Sequence, residues 1–169
     1  MNDGLPDAEA LFATLRDTMA ASIAIDAKLV GVYSGGAWIA DRLAKELDGE
    51  HEIGYIDVSF YRDDLSTSGL KPTVRSTSIP FSVEGKHVVI VDDVLFTGRS
   101  IRAAINTLFD FGRPASIQLA VLVDRGGREL PISADYVGAP LIVARHLMLA
   151  LSKDDAGIFS FTTEPWKAL

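Results

Sequence analysis

The chain has 169 residues, 16 Lys+Arg against 23 Asp+Glu for a formal charge of −7, no cysteine and three histidines. The lack of cysteine excludes disulfides, thiolate metal sites and a thiol nucleophile, and His51, His87 and His146 share no i, i+4 spacing that would place two imidazoles on one helical face. A chain of this length buries roughly two-thirds of its unfolded surface, enough for a single self-sufficient domain over 1–169.

Pro6 and Asp7 precede Leu11, Phe12, Leu15 and Met19 at helical spacing, which predicts an amphipathic opening helix. This opening is acidic, without the basic-then-apolar order of a signal peptide, and no apolar run reaches the ~18 residues of a membrane span; the expected location is the cytoplasm. Leu29 to Tyr33 reads as a short buried strand stopping at Ser34-Gly35-Gly36. A helix follows with Ile39, Ala40, Leu43, Ala44 and Leu47 on one face, ended by Asp48-Gly49.

Residues 53–60 form a second predicted strand, and the polar stretch from Tyr61 to Ser78 lacks apolar periodicity, as in a mobile loop or extended hairpin around 61–81. His87 to Val91 is apolar on consecutive positions, the pattern of a strand covered on both faces, and Asp92-Asp93 ends it. From Ser100 the period becomes helical through Ile101, Ala104, Ile105 and Leu108, closed by Gly112 and Pro114. Ile117 to Val123 is a fourth strand running into Asp124-Arg125-Gly126-Gly127.

Strands alternating with helices imply right-handed crossovers and an α/β fold, a mostly parallel twisted sheet flanked by helices. Ligands of such sheets sit beyond the carboxyl ends of the strands. The charge agrees with that placement: residues 1–61 carry −7, residues 62–128 carry +2 and residues 129–169 carry −2. An overall negative charge opposes a generic nucleic-acid binder, and the basic centre is where an anionic ligand belongs. The late apolar residues Leu141, Ile142, Leu147, Leu149 and Leu151 suit either a final hairpin or a subunit contact.

The sharpest feature is the thirteen-residue run Val88-Val89-Ile90-Val91-Asp92-Asp93-Val94-Leu95-Phe96-Thr97-Gly98-Arg99-Ser100. A buried strand delivers two adjacent carboxylates to the sheet edge, and a Thr-Gly-Arg-Ser turn then opens a helix. Unpaired N–H groups, the helix dipole, a glycine permitting close approach and two hydroxyls form a phosphate cradle. Carboxylates only accept hydrogen bonds, which suits a sugar diol that can donate two. A solvated strand end with an ordinary N-cap at Ser100 is the plain alternative.

This run resembles the 5-phosphoribosyl-1-pyrophosphate (PRPP) motif of the type I phosphoribosyltransferases, with the aromatic Phe96 where most of that superfamily has a small residue. The aromatic, the following Thr-Gly-Arg-Ser, the stretch Phe111 to Gly126 and Arg128-Glu129-Leu130-Pro131 are similar to the PyrR family of pyrimidine operon attenuators that are also uracil phosphoribosyltransferases. Ile56 to Asp64 and Ala134-Asp135-Tyr136-Val137-Gly138 extend the resemblance to that family's mobile loop and last strand. It spans about residues 7–155.

The resemblance implies transfer of the phosphoribosyl group from PRPP to uracil, giving UMP and pyrophosphate, with magnesium carried mainly by PRPP and no metal site built by the protein. Asp92 and Asp93 would hold the ribose hydroxyls, and Val91 to Ser100 would form the binding segment, with Thr97, Gly98, Arg99 and Ser100 on the 5-phosphate. Ser34-Gly35-Gly36 stands at the pyrophosphate loop, where other members carry Lys-Thr-Arg-Gly against Tyr33-Ser34-Gly35-Gly36 here. Arg62 lies at the base of the closing loop, Asp63 and Asp64 beside it are either a general base or solvated charges, and the strand end at Val123 and Arg125 would meet the uracil edge. The family also implies a homo-oligomer and UMP- or UTP-responsive binding of leader RNA. For that role Arg125, Arg128 and Arg145 could form a basic face, while the first helix offers only Arg16, and Ser133 replaces an expected basic residue. A pocket used mainly as a nucleotide sensor, or an orotate or purine enzyme, are the other readings; Tyr61-Arg62-Asp63-Asp64 and Asp124-Arg125-Gly126 favour uracil.

Overall fold

A computed structural model describes residues 4–59 and 76–166. Helix α1 (Ala8–Ala20) starts at Asp7, whose carboxylate accepts from the backbone N–H of Glu9 and Ala10 at 3.0 and 3.3 Å, an N-cap that stabilises by about 1 kcal/mol. It buries Ala8, Phe12, Leu15 and Met19 on one stripe. Then follow β1 (Lys28–Val32), α2 (Gly35–Glu46), β2 (Ile53–Ile56), β3 (His87–Leu95), α3 (Arg99–Phe109), β4 (Ser116–Asp124), β5 (Tyr136–Pro140), β6 (Leu147–Lys153) and β7 (Phe159–Pro165).

Strands β1 to β5 form one parallel sheet in the order β2-β1-β3-β4-β5, and β6 and β7 pair antiparallel as a separate hairpin. Helices cover both faces. Along β3, Val89 and Val91 join α1, α2 and the hairpin in one core cluster, while Val88 and Ile90 join Ile101, Ala104 and Leu108 of α3 in the other. That alternation explains why four consecutive apolar residues were needed.

Two strand ends differ clearly from those expected. β2 stops at Ile56 because Asp57 forms a turn, its carboxylate accepting from Ser59 N–H at 2.8 Å while its own N–H bonds the Thr77 hydroxyl. β3 runs through Asp92-Asp93 to Leu95, because its ladder with β4 continues to Leu95 opposite Asp124 although its ladder with β1 ends at Val91. Tyr136–Pro140 is the edge strand of the parallel sheet. Of the expected loop at 61–81, residues 76–81 are described, and Ser78 pairs back onto Tyr55 through two 2.8 Å backbone bonds.

The late apolar residues divide. Leu149 and Leu151 enter the core as part of the hairpin, whereas Ile142 is 99% exposed. Glu9 fastens the hairpin to α1: it accepts from Phe159 N–H at 2.7 Å and from Arg42 at 2.8 Å, and the Arg42 guanidinium lies over the rings of Phe12 and Phe159. Among the described residues no helix is long and apolar enough to cross a membrane.

Candidate active site

The sheet order changes direction between β1 and β3, since the chain leaves β1 toward β2 on one side and β3 toward β4 on the other. Such switch points open a crevice beyond the strand ends. Here the crevice is a cavity of about 200 Å³ that brings together Ser34, Gly35, Asp92, Asp93, Phe96, Ser100 and Arg125, roofed by Met148 to Leu151 of β6.

One wall is the start of α2, reached through a cis Tyr33–Ser34 peptide. Glycines let this helix lie directly on β3: a Cβ on Gly36 would stand 2.2 Å from the Val91 carbonyl oxygen, and one on Gly35 would stand 2.6 Å from Asp93 Oδ2. The Ser34 side chain caps no amide and the first turn has no acidic residue. The helix therefore presents its amide donors and positive dipole end to an anion in the crevice.

The opposite wall is the end of β3 and the turn into α3. Each aspartate fixes the next backbone amide, Asp92 accepting from Asp93 N–H at 3.0 Å and Asp93 from Val94 N–H at 2.9 Å. Beyond them Thr97 is buried, and its hydroxyl accepts from Arg99 N–H at 3.2 Å. Gly98 occupies the N-cap of α3 at φ +92°, a conformation suited to glycine. A smaller hollow of about 30 Å³ beside the cavity is lined by Asp92, Leu95, Thr97, Gly98 and Ser100.

Not every residue expected at the site faces it. The Val91 and Val123 side chains are wholly buried in the core, so only their backbones approach the strand ends. Gly36, in the first turn of α2, is pressed against the β3 backbone at Val91 and Asp92. Arg99 turns outward to Glu129, at 2.9 and 2.7 Å, with about half its side chain exposed. Arg62, Asp63 and Asp64 lie outside the described residues. The roof from β6 had no sequence signal beyond the alternation of Leu147, Leu149 and Leu151, which marks a strand without saying what it covers.

The expected basic face is largely internal. Arg125 is 9% exposed, with its guanidinium 4.0 Å from the Phe96 ring centroid and its terminal nitrogens donating to the Leu147 and Ala144 carbonyls. Burial pushes its pKa down. Arg128 donates to the carbonyls of Ile132 and Phe96 and to the Asp124 carboxylate. Burial tends to raise the Asp124 pKa, but Arg128 and the Gly126 N–H on its oxygens hold it below the ordinary value. Arg145 alone of the three is exposed.

Residues 5–146 match the family model described as the phosphoribosyl transferase domain. The Bifunctional protein PyrR of Ralstonia nicotianae is 50% identical over 166 residues, covering 94% of this chain and 95% of that protein. The Bifunctional protein PyrR of Pseudomonas aeruginosa is 52% identical over 118 residues, covering 70% and 69%. Among solved structures, the hypoxanthine phosphoribosyltransferase of Trypanosoma cruzi superposes with a TM-score of 0.62 at 26% identity, over 81% of this chain and 80% of that one. A hypoxanthine-guanine phosphoribosyltransferase of Bacillus anthracis, with a TM-score of 0.66 at 20% identity over 84% and 85%, shares the fold.

Proposed function

The chain belongs to the phosphoribosyl transferase family, among its PyrR members, and from that premise we propose that it transfers the 5-phosphoribosyl group of PRPP to uracil. The bond from ribose C1 to pyrophosphate breaks, a bond from C1 to N1 of uracil forms, the N1 proton is lost, and UMP and pyrophosphate leave. The observation that carries this reading is the pairing, across one cavity, of the Asp92-Asp93 strand end and the α3 cradle with the uncapped start of α2.

In this reading Asp92 and Asp93 accept from the ribose hydroxyls and the Thr97–Ser100 turn holds the 5-phosphate. Ser34 and Gly35 take the pyrophosphate, and the β4 end at Arg125 meets the base beneath the β6 roof. Fixed carboxylates and the exclusion of water would favour the cation-like ribosyl transition state, and the α2 amide donors the departing pyrophosphate. Arg62 belongs to the same proposal as a residue of the closing loop.

Among the described residues no three His, Asp or Glu side chains converge. Asp92 and Asp93 are carboxylates lining the cavity, and they would face a magnesium ion carried mainly by the pyrophosphate of PRPP. When bound, that ion neutralises charge on the leaving group.

The test is PRPP affinity. Asp92→Asn with Asp93→Asn is expected to weaken PRPP binding at least about tenfold, since hydrogen bonds to charged groups are each worth ~1.5–3 kcal/mol. A folded double variant with wild-type PRPP affinity would sink the assignment.

The relatives' description as bifunctional supports a second role, which we propose to be UMP- or UTP-responsive regulation of pyrimidine operon transcription through leader RNA; a cytoplasmic homo-oligomer belongs to the same proposal. Saturable RNA binding near physiological salt that strengthens with UMP is the expected result. Its absence would remove this role from the chain.

A further inference from the structure

We propose that Arg128 is a positioning residue that fixes the distance between the phosphate cradle and the base-facing end of β4. It lines no part of the cavity, yet its guanidinium joins three segments. Nη1 donates to the Phe96 carbonyl at 2.8 Å, Nη2 to Asp124 Oδ2 at 2.6 Å and Nε to the Ile132 carbonyl at 2.9 Å. A planar guanidinium presents these donors at fixed angles, so it holds the three acceptors in one plane, which a lysine ammonium does not.

The position of this clamp gives it its consequence. The β3–β4 ladder ends at Leu95 opposite Asp124, so the cradle turn beyond it has no strand partner. The segment after Arg128 takes that place: Glu129 and Leu130 N–H both donate to the Thr97 carbonyl, at 3.0 and 3.1 Å. Close packing fixes the same segment from two further sides, because a Cβ on Gly127 would stand 2.5 Å from the Phe96 ring and one on Gly98 would stand 3.0 Å from Ile132. Arg128 is the link that returns this support to β4, through an Asp124 carboxylate that the Gly126 N–H also holds at 2.9 Å.

The inference rests on the uracil phosphoribosyltransferase reading. There the 5-phosphate sits in the cradle and the base lies by Arg125, with the ribose as a rigid spacer between them. A displacement of about 1 Å between two such subsites costs about a hundredfold in rate even when each subsite is intact.

Calorimetric titration of the full-length protein with two ligands tests this. UMP spans both subsites, and ribose 5-phosphate occupies the cradle alone. Arg128→Gln is expected to weaken UMP at least about tenfold while ribose 5-phosphate stays within about twofold, and to lower kcat by about ten- to a hundredfold with KM for PRPP within about threefold. Arg128→Lys should retain the UMP-specific loss. Asp124→Asn, which weakens one arm only, should shift UMP in the same direction by a smaller factor, and carries the test if Arg128→Gln fails to fold. Equal weakening of both ligands, or unchanged UMP affinity in these variants, overturns the proposal. Failure of the wild-type protein to bind UMP overturns instead the reading on which it rests.

Discussion

Gly35 approaches Asp93 so closely that a Cβ on the glycine would stand 2.6 Å from Oδ2 and 2.8 Å from Cγ of the carboxylate. The contact joins the α2 start to the carboxylate pair, and its neighbour behaves differently. At Gly36 the obstruction is the Val91 backbone carbonyl, which cannot rotate away. Gly35→Ala should therefore displace a side chain and lower kcat/KM for PRPP about tenfold with little change in Tm, an off-rotamer cost of ~1 kcal/mol acting at the site. Gly36→Ala should lose ~1–3 kcal/mol of stability. Steady-state kinetics and thermal melts on both variants separate the two effects, and a normal Tm for Gly36→Ala would contradict the packing described.

Tyr55 of β2 stacks its ring on that of Tyr33, centroids 5.4 Å apart, and its hydroxyl donates to Asp41 at 2.5 Å. Burial, then the bond to Asp41, push its phenol up to about 12 from the ordinary 10.0. Because the folded state holds this proton more tightly, the resulting stabilisation is complete below pH 10 and is lost as pH rises toward 12. An absorbance titration should show one tyrosine ionising near pH 12 that disappears in Tyr55→Phe. All tyrosines titrating near 10 in the folded protein would contradict the bond.

Glu9 gives the opposite sign. Burial acts to raise its pKa, but the bonds from Arg42 and Phe159 N–H hold it below the ordinary 4.5. Its stabilisation of the hairpin is thus present above pH 4.5 and lost as pH falls through the lower folded value. Glu9→Gln should cost about 1 kcal/mol at pH 7, below the ordinary range for charged hydrogen bonds because both partners are partly solvated. Denaturant midpoints of the two proteins should converge as pH falls from 4.5 through the lower folded value. A constant gap across that range would rule out the ionic contribution.

The β3–α3 unit was legible because its signals are local: an apolar run covered on both faces, paired acids, and a glycine at the helix start. So were α1, capped by Asp7, and the parallel sheet. What sequence could not show depends on distant partners. Asp92 to Leu95 continue as strand because β4 extends alongside them, and β2 ends early because Asp57 captures Ser59. Arg125 and Arg128 look like surface charges in sequence, since their acceptors are mainly backbone carbonyls of Leu147, Phe96 and Ile132, which no residue pattern marks. The roof over the cavity is legible as a strand but not as a roof.

Conversion of uracil and PRPP by the purified protein with magnesium tests the transferase assignment directly. UMP and pyrophosphate should form in equal amounts, with uracil preferred over orotate, hypoxanthine and guanine. UMP formation no faster than in a protein-free control, or a faster reaction with another base, would contradict it.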